Sequence, residues 1–136
     1  MVRPVDKGLY KNYLQKAEEM LEVAKYAAHT SKNNAAVTAS IHCAINALDA
    51  LAVFYFGKRH SGTHEDALNT IKGAIMNGNE FGDLAKQFVG LIALKNQAEY
   101  QPDLMQIQDA SDAIRRASRI LSKIKQKLPS SHIGSL

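Results

Sequence analysis

The sequence is poor in the residues that indicate a particular chemistry most directly. Its 136 residues include one cysteine, no tryptophan and three prolines, and aromatic residues make up 7%. A single cysteine, Cys43, excludes an internal disulfide and a metal site built from several cysteines, and it fits a reducing cytoplasm. The sequence also lacks zinc-ligand spacing, a glycine-rich phosphate loop, internal repeats and a long heptad array. We therefore predict neither a metal nor a cofactor.

Targeting signals are missing as well, because the first ten residues, MVRPVDKGLY, lack the apolar run of a signal peptide. We expect a cytoplasmic protein. With 46% hydrophobic and 22% charged residues, the chain has the composition of one globular domain, predicted over residues 1–136 with a flexible tail from 129. A net charge of +4 is compatible with a polyanionic partner but does not require one.

The most apolar stretch runs from Asn34 to Gly57 and reads NAAVTASIHCAINALDALAVFYFG. A helix that is apolar on nearly every side must be surrounded by other helices. This stretch therefore predicts the central helix of a bundle. Polar residues interrupt it too often for a membrane span, which needs about 20 consecutive apolar residues, so we predict no membrane association.

Four polar residues of the central helix, Thr38, His42, Asn46 and Asp49, share one side of it. Burying such groups without partners costs roughly 2–7 kcal/mol each, so we expect another helix, a second copy or a ligand to pair with them. They can form an internal hydrogen-bonded network, or line a polar cleft in which His42, Asn46 and Asp49 face a neighbouring helix. His42 and Asp49 are two turns apart without a third ligand, so they do not predict a metal site.

Amphipathic periodicity predicts four further helices joined by short loops, which makes the fold all-α. The central helix is followed by a tight basic loop over residues 58–62. The further helices are predicted over about 6–29 with Asp6 as N-cap, from Thr63 to Asn77, from Glu80 to Tyr100, and from Gln108 or Asp109 to Pro129.

The last predicted helix has the clearest pattern in the chain. Apolar residues recur alternately three and four positions apart, as expected in a near-parallel bundle: Ile107, Ala110, Ile114, Ala117, Leu121, Ile124 and Leu128. From Arg115 onward its polar side carries only basic residues. Cations near a helix C-terminus interact favourably with the macrodipole, but this run is longer than the last turn. The alternative is a surface for phosphate groups, with these candidates: Arg115, Arg116, Arg119 and Lys123.

Two stretches together resemble the small stand-alone HEPN domains of prokaryotes. The first, AINALDALAVFYFGKRHSGTHEDAL, combines a helix rich in small residues with a glycine, a basic loop and a His-Ser-Gly element. The second, LKNQAEYQPDLMQIQDASDAIRRASRILSKIKQKL, has a basic residue, Asn, an acidic-aromatic pair, a spacer and a last helix with paired alanines.

The resemblance implies an up-and-down bundle of four main helices with an additional short one, commonly a homodimer. It also implies a frequent pairing with a minimal nucleotidyltransferase in toxin–antitoxin or defence systems. Many HEPN domains are metal-independent ribonucleases, whose signature is an Arg, four to six residues and a His. In such a site the Arg stabilises phosphate charge and the His serves as general acid or base.

This chain departs from that signature, because Lys95-Asn96 stands where Arg-Asn is expected and Tyr100 stands near the place of the His. Lysine lacks the bidentate fork of arginine, and tyrosine, with an ordinary pKa near 10, is a poor base at neutral pH. A ribonuclease centre built on these candidates is therefore predicted to be degenerate. Arg59 and His64 do satisfy the spacing, in the loop after the central helix.

The basic loop has two interpretations. His64 can be a structural residue early in the third predicted helix, or that helix N-terminus can bind an anion with help from the loop. We therefore predict a protein that interacts with nucleic acid or nucleotide, with the ribonuclease centre degenerate. The alternatives are an active metal-independent ribonuclease and a partner-binding module without nucleic-acid contact.

Overall fold

The computed structural model of the chain describes residues 2–60, 68–69, 71–72 and 77–129. Four long α-helices account for most of these residues, so the predicted all-α fold is confirmed. Two short strands also pair into an antiparallel ribbon at one end of the bundle. The elements are β1 (Val2–Pro4), a 3-10 turn (Lys7–Leu9), α1 (Tyr10–His29), α2 (Asn33–Phe56), β2 (Lys58–His60), α3 (Gly78–Tyr100) and α4 (Ile107–Gln126).

The predicted central helix is confirmed as α2, which contacts each of the other three long helices. Fourteen of its 24 residues are buried, because alanines and branched aliphatic side chains cover nearly all of its circumference. By length and composition α2 is long and apolar enough to cross a membrane, yet 72% of its most apolar window is buried inside the protein. Such burial is what the core helix of a bundle shows.

Hydrogen bonds at both ends of α2 define how the helices run. Asn34 Oδ1 accepts from the Met105 N–H at 3.0 Å, just before α4 begins. The Tyr55 hydroxyl donates to the Lys127 carbonyl, just after α4 ends. Helices α2 and α4 are therefore parallel, and the four helices alternate up and down as predicted. The side chains of Asn33 and Asn34 both bond Met105, and Lys32 is the N-cap of α2.

Of the other helix boundaries, the ends of α2 and α3 agree with the prediction, whereas the start of α1 is Tyr10 rather than residue 6. Gly57 ends α2 in the left-handed conformation, with φ of 65°. Asn77 and Glu80 form a reciprocal capping box at the start of α3, and α3 ends at Tyr100. Asp6 accepts from the Gly8 N–H at 3.0 Å, so it caps the 3-10 turn rather than α1 itself.

Three predictions about the periphery need correction or are only partly covered. The residues Lys58 to His60 form β2 rather than a loop, because β1 pairs with them. Ile107, assigned to the inward seam, is 74% exposed because it is the first residue of α4. Of the predicted helix from Thr63 to Asn77, residues 68, 69 and 71 are helical, and Thr63 lies outside the described residues. The tail predicted from residue 129 also lies outside them, except for Pro129 itself.

Candidate functional site

A cluster of polar side chains forms where β2 passes α1 and α2. Arg59 extends from β2 over α1, and its Cζ lies 5.8 Å from the centre of the Tyr13 ring. Lys16 Nζ lies 5.5 Å from the same ring. Both distances are within the range of cation–π attraction. Asp49 of α2 belongs to the same group, since the charges of Arg59 and Lys16 lower the pKa of its carboxyl. We call Tyr13, Lys16, Asp49 and Arg59 the Arg59 cluster.

The position of Arg59 is determined by the turn that ends α2. The left-handed Gly57 reverses the chain, its carbonyl accepts from the Val5 N–H at 2.8 Å, and β1 then aligns residue 3 with Arg59. A residue with a side chain would be strained at this φ. The reversal carries β2 back along α1, which places Arg59 over Tyr13.

The guanidinium of Arg59 has an unused donor. Its Nε is buried and has no hydrogen-bond partner among the described residues. Buried polar groups in native proteins are almost always hydrogen-bonded, so each exception calls for an explanation. Arg59 as a whole is only half-buried, and a guanidinium carries further N–H donors of the kind that bind phosphate or carboxylate oxygens.

Asp49 is the acidic member of the cluster and is only 7% exposed. Burial raises its pKa to about 6, and the nearby charges of Arg59 and Lys16 lower it only in part. The carboxyl therefore changes charge within one to two pH units of neutrality. When it is protonated, Arg59 and Lys16 face no opposing charge from it.

Lys16 is exposed and opens the cluster to solvent. A shallow groove of about 330 Å³ beside it is lined by Asn12, Gln15, Lys16 and Glu19. Amide side chains can donate to and accept from the edges of nucleobases. A negatively charged ligand at Arg59 would thus be continuous with a polar surface on α1.

The predicted polar stripe of α2 is not uniformly buried, which corrects the expectation that all of it needs partners. Thr38 and His42 are exposed, and Asn46 donates to the His42 carbonyl at 2.9 Å on its own helix. Only Asp49 is buried. The 3-10 turn and β2 both contact α2, and the stripe is open to solvent at Thr38 and His42.

The element Lys95, Asn96 and Tyr100 occupies the last turns of α3, as predicted. Lys95 Nζ is 3.1 Å from Glu99 Oε1 and 5.9 Å from the Tyr100 ring centre. Asn96 is exposed and Tyr100 is 71% exposed. Within the described part of the chain, no hydrogen bond or ion pair joins these residues to the His42, Asn46 and Asp49 set.

Three of the four basic candidates of the last helix, Arg116, Arg119 and Lys123, bond residues of α3, and all four have an acidic partner. We call them the basic seam. Arg115 and Arg116 both bond Asp112. The acids of α3 supply the remaining partners: Arg119 pairs with Asp83 at 3.0 Å, and Lys123 with Glu80 at 3.4 Å.

Arg116 is the most enclosed member of the basic seam. Its guanidinium lies across Gly90 of α3, where an added Cβ would come within 2.3 Å of it. From there it reaches Gln87 Oε1 at 3.3 Å. Because glycine leaves this space, the arginine side chain is part of the α3–α4 packing.

The cations of the basic seam lower the pKa values of the carboxylates beside them. Hydrogen bonds from Lys127, the Asn77 backbone and Lys123 hold the pKa of Glu80 below its usual value. For Asp83 desolvation raises the pKa, but hydrogen bonds from Gln87 and Arg119 and nearby cations outweigh it, so its pKa is lowered too. These carboxylates are ionised at neutral pH and neutralise the cations beside them.

A wider groove of about 690 Å³ lies between α1 and α4. Its apolar floor includes Leu21 and Leu121, and Lys25 and Lys125 stand at its rim. Lys125 is paired with Glu18 at 2.7 Å. The groove offers no aromatic ring for a base to stack on, so it fits a nucleotide less well than the Arg59 cluster does.

The sequence predicted some residues of the site and missed others. Asp49 and Arg59 were each predicted, but in separate sets, and the fold brings them together. Tyr13 and Lys16 were missed; their spacing of three on α1 places them on one helix face but does not show what lies opposite. His64 lies outside the described residues. Among those described, no group of three or more His, Cys, Asp or Glu is arranged to hold a metal ion.

The chain is similar to a known protein family. A family model described as the HEPN domain matches residues 10–127, from the first residue of α1 to the residue after α4. No curated protein matches the chain.

Proposed function

Since the match spans most of its length, the chain belongs to the HEPN domain family, and we propose that it binds RNA or a nucleotide at the Arg59 cluster without cleaving it. The family-level function is nucleotide- or RNA-related. The observation that carries the proposal is the half-buried guanidinium of Arg59, which lies with Lys16 over the Tyr13 ring and whose Nε has no acceptor among the described residues.

The chemistry of the cluster suits a phosphate group. Arg59 offers planar donors in a low-dielectric position, and Lys16 adds a second positive charge from the solvent side. Both cations lie over the Tyr13 ring, which attracts them. When ionised, Asp49 reduces the local positive charge. Because its pKa is raised, it repels a bound anion less than a carboxyl with an ordinary pKa would.

The absence of cleavage is proposed from the end of α3. Lys95 is neutralised by Glu99, and Tyr100 stands largely in solvent. An ion-paired lysine is a weak phosphate clamp, and a phenol is a poor general base at neutral pH. Lys95 and Tyr100 therefore do not supply the two groups that cleavage needs, a strong phosphate binder and a base that is active near neutral pH.

The test is a binding and cleavage experiment on the purified protein. Fluorescence anisotropy with a labelled single-stranded RNA, repeated from 50 to 200 mM salt, should show binding that weakens as salt rises, because phosphate contacts release counterions. The same RNA incubated with excess protein and a chelator should stay intact. Binding that is absent at low salt would refute the proposal.

An active ribonuclease is the second candidate, and the raised pKa of Asp49 beside Arg59 favours it, because functional sites often contain such groups. In that case cleavage would need Arg59 and His64. Cleavage lost on Arg59→Ala and His64→Ala, but kept on Lys95→Ala and Tyr100→Phe, would establish this alternative and replace the non-cleaving proposal.

The wider setting of the protein is a further part of the proposal, and membership of the family supports it. We propose a cytoplasmic homodimer that works with a minimal nucleotidyltransferase in a toxin–antitoxin or defence system. Co-purification with such an enzyme from the native cell tests the pairing. If the partner binds and RNA does not, the chain is a partner-binding module instead.

A further inference from the structure

The exposed side of α1 beside the Arg59 cluster carries two side chains that hold each other in place. Gln15 Nε2 donates to Glu19 Oε2 at 2.9 Å, across one turn of the helix. Both residues line the groove of about 330 Å³ that also includes Lys16. We call them the Gln15–Glu19 pair. The pair is therefore next to the cations of the Arg59 cluster and open to a ligand from solvent.

The hydrogen bond within the pair determines which groups remain for a ligand. An ionised carboxylate has only acceptors, so Gln15 must present an N–H to Glu19. Both oxygens of Glu19 keep unused lone pairs, and the second N–H of the Gln15 amide has no acceptor among the described residues. Read in order, the pair offers an acceptor, a second acceptor and a donor.

This order of acceptors and donor matches one RNA base. The Watson–Crick edge of guanine presents the N2 amino group, the N1–H and the O6 carbonyl, which are two neighbouring donors followed by an acceptor. Adenine, cytosine and uracil each have a single donor group on that edge, so they cannot satisfy both oxygens of a carboxylate. Hydrogen bonds to an ionised acceptor are also stronger than neutral ones.

We propose that the Gln15–Glu19 pair binds the Watson–Crick edge of a guanine base, with the phosphate of the same nucleotide at the Arg59 cluster. This inference rests on the proposed function and names its ligand as a guanosine phosphate. The ligand is either a free nucleotide or one residue of a single-stranded RNA.

The spacing along α1 fits a single nucleotide. Arg59 and Lys16 lie over the Tyr13 ring, and Tyr13 precedes Glu19 by six residues, about 9 Å at 1.5 Å per residue. A nucleotide whose phosphate lies at the cations therefore reaches Glu19 with its base. Ligand sites have volumes of roughly 300–1,000 Å³, so a groove of about 330 Å³ suits one base rather than a larger group.

The order of charge along the groove favours a nucleotide over other ligands. An inorganic phosphate is attracted by Lys16 but repelled by Glu19, one turn further along, and a basic peptide meets the opposite problem. Among the described residues no group of three or more His, Cys, Asp or Glu is arranged to hold a metal ion. A nucleotide carries negative charge at one end and neutral hydrogen-bond donors at the other, as Lys16 and Glu19 require.

Isothermal titration calorimetry with nucleoside monophosphates tests the base. GMP and IMP differ only in the N2 amino group, which IMP lacks. We expect GMP to bind about fivefold more tightly than IMP and about tenfold more tightly than AMP, because a bidentate contact to a base edge discriminates to at least this extent. Equal affinities for GMP and IMP would overturn the inference.

Glu19→Gln tests the acceptor half of the pair. The variant keeps the size of the side chain and replaces one acceptor with a donor, so the preference for GMP over IMP should fall below about twofold, and AMP should gain relative to GMP because glutamine pairs with adenine. Glu22→Gln is the matched control, since it removes the same charge from an exposed residue of α1 that does not line the groove. A preference that survives Glu19→Gln, or that falls equally in the control, contradicts the proposal.

Gln15→Leu tests the donor half. The variant removes the N–H that faces O6 and the contact that orients Glu19. GMP and IMP both carry O6, so both should bind about threefold more weakly, whereas AMP, which has no O6, should be unaffected. If AMP weakens as much as GMP does, Gln15 does not contact the base and the inference is wrong.

Short labelled oligouridines with one central guanosine, inosine or adenosine distinguish RNA from a free nucleotide as the source of the guanine. Anisotropy titrations should rank the guanosine RNA first. If GMP displaces it only at much higher concentration, the guanine is read within RNA; if GMP competes at similar concentration, a free nucleotide is sufficient. Both results support the inference, whereas equal affinity for the three RNAs and for the three nucleotides refutes it.

Arg59→Ala measured with the same ligands separates this inference from the proposed function. If Arg59→Ala weakens every ligand equally and no base preference exists in wild type, the proposed function stands and the guanine site fails. If the preference depends on Glu19 and Arg59→Ala changes nothing, the guanine site stands and the phosphate site at Arg59 fails. No binding of any ligand at 50 mM salt would overturn both.

Discussion

The Arg59 cluster and the basic seam are two concentrations of positive charge that differ in what surrounds them. The seam has more cations, yet every predicted member bonds a carboxylate. The cluster has two cations and one carboxyl, and that carboxyl is buried with its pKa raised to about 6. A guanidinium donor in the cluster also lacks a protein acceptor among the described residues.

The comparison shows that the number of cations on a helix does not by itself identify an anion-binding surface. Acids on the neighbouring helix decide how much charge remains for a ligand. In the seam Glu80 and Asp83 have lowered pKa values because cations hold them ionised. In the cluster the environment opposes ionisation of Asp49. At neutral pH we therefore expect loss of the acid to raise the free energy of unfolding in the cluster and to lower it in the seam.

The largest expected effect is on stability, from Asp49→Asn. Because the folded-state pKa of Asp49 is raised, from 3.8 to about 6, its protonated form stabilises the fold below pH 3.8, and this contribution is lost as pH rises through about 6. Two pKa units correspond to about 3 kcal/mol. At pH 7.5 the variant should gain up to about 3 kcal/mol in free energy of unfolding.

Urea denaturation at pH 7.5 and at pH 3.5 measures this difference. The gain should vanish at the lower pH, where Asp49 is protonated in both states. Asp103→Asn removes an exposed carboxyl and serves as the control, with little change at either pH. A gain of equal size at both pH values would contradict the raised pKa.

The next largest effect is on RNA affinity, from Arg59→Ala. We expect about a tenfold loss, equivalent to about 1.4 kcal/mol, because the variant removes both a charge and the planar guanidinium donors. Arg59→Lys should fall between wild type and alanine, since it keeps the charge and loses the planar fork. Anisotropy titrations at 50 mM salt with the same labelled RNA give the three dissociation constants.

Arg119→Ala is the matched control from the basic seam. Its guanidinium is already bonded to Asp83 at 3.0 Å, so its removal should change RNA affinity less than twofold. If Arg119→Ala weakens binding as much as Arg59→Ala does, the distinction between the two regions is wrong.

A smaller effect is expected from Gly57→Ala, which tests whether the turn positions the cluster. Gly57 has φ of 65°, and alanine in that conformation should cost about 1 kcal/mol in free energy of unfolding. RNA affinity should fall along with it, because Arg59 follows two residues later. Gly82→Ala, at an open helical site, should be neutral or stabilising; unchanged RNA binding in Gly57→Ala would contradict the positioning role of the turn.

The smallest effect is a gain. The double variant Glu80→Gln, Asp83→Asn removes the acids of α3 that neutralise Arg119, Lys123 and Lys127. RNA affinity should rise about threefold, and the salt dependence should become steeper because more phosphate contacts form. The same double variant combined with Arg59→Ala shows whether the freed seam binds on its own. No gain at 50 mM salt would mean that neutralisation is not what keeps the seam from binding.

The sequence predicted the bundle well because its signals are local. The apolar circumference of α2 required a central position, and Gly57, Asn77 and Glu80 marked helix ends through their own backbone and side-chain chemistry. The ribbon was missed because β1 and β2 are three residues each and pair across more than 50 residues of chain. Ile107 was wrongly assigned to the buried side of the last helix, because a periodic pattern does not show at which residue neighbouring elements cease to cover that helix.

For the same reason, only half of the candidate site could be predicted from the sequence. By itself the sequence determined that α2 is the core, that Asp49 interrupts it and that Arg59 follows its terminating glycine. Tertiary structure alone decided that Arg59 lies over Tyr13 beside Lys16, and that Glu80 and Asp83 meet the cations of α4. Helix periodicity depends on neighbours three and four residues away, whereas the free charge at a surface depends on which helix packs opposite and how much water its packing excludes.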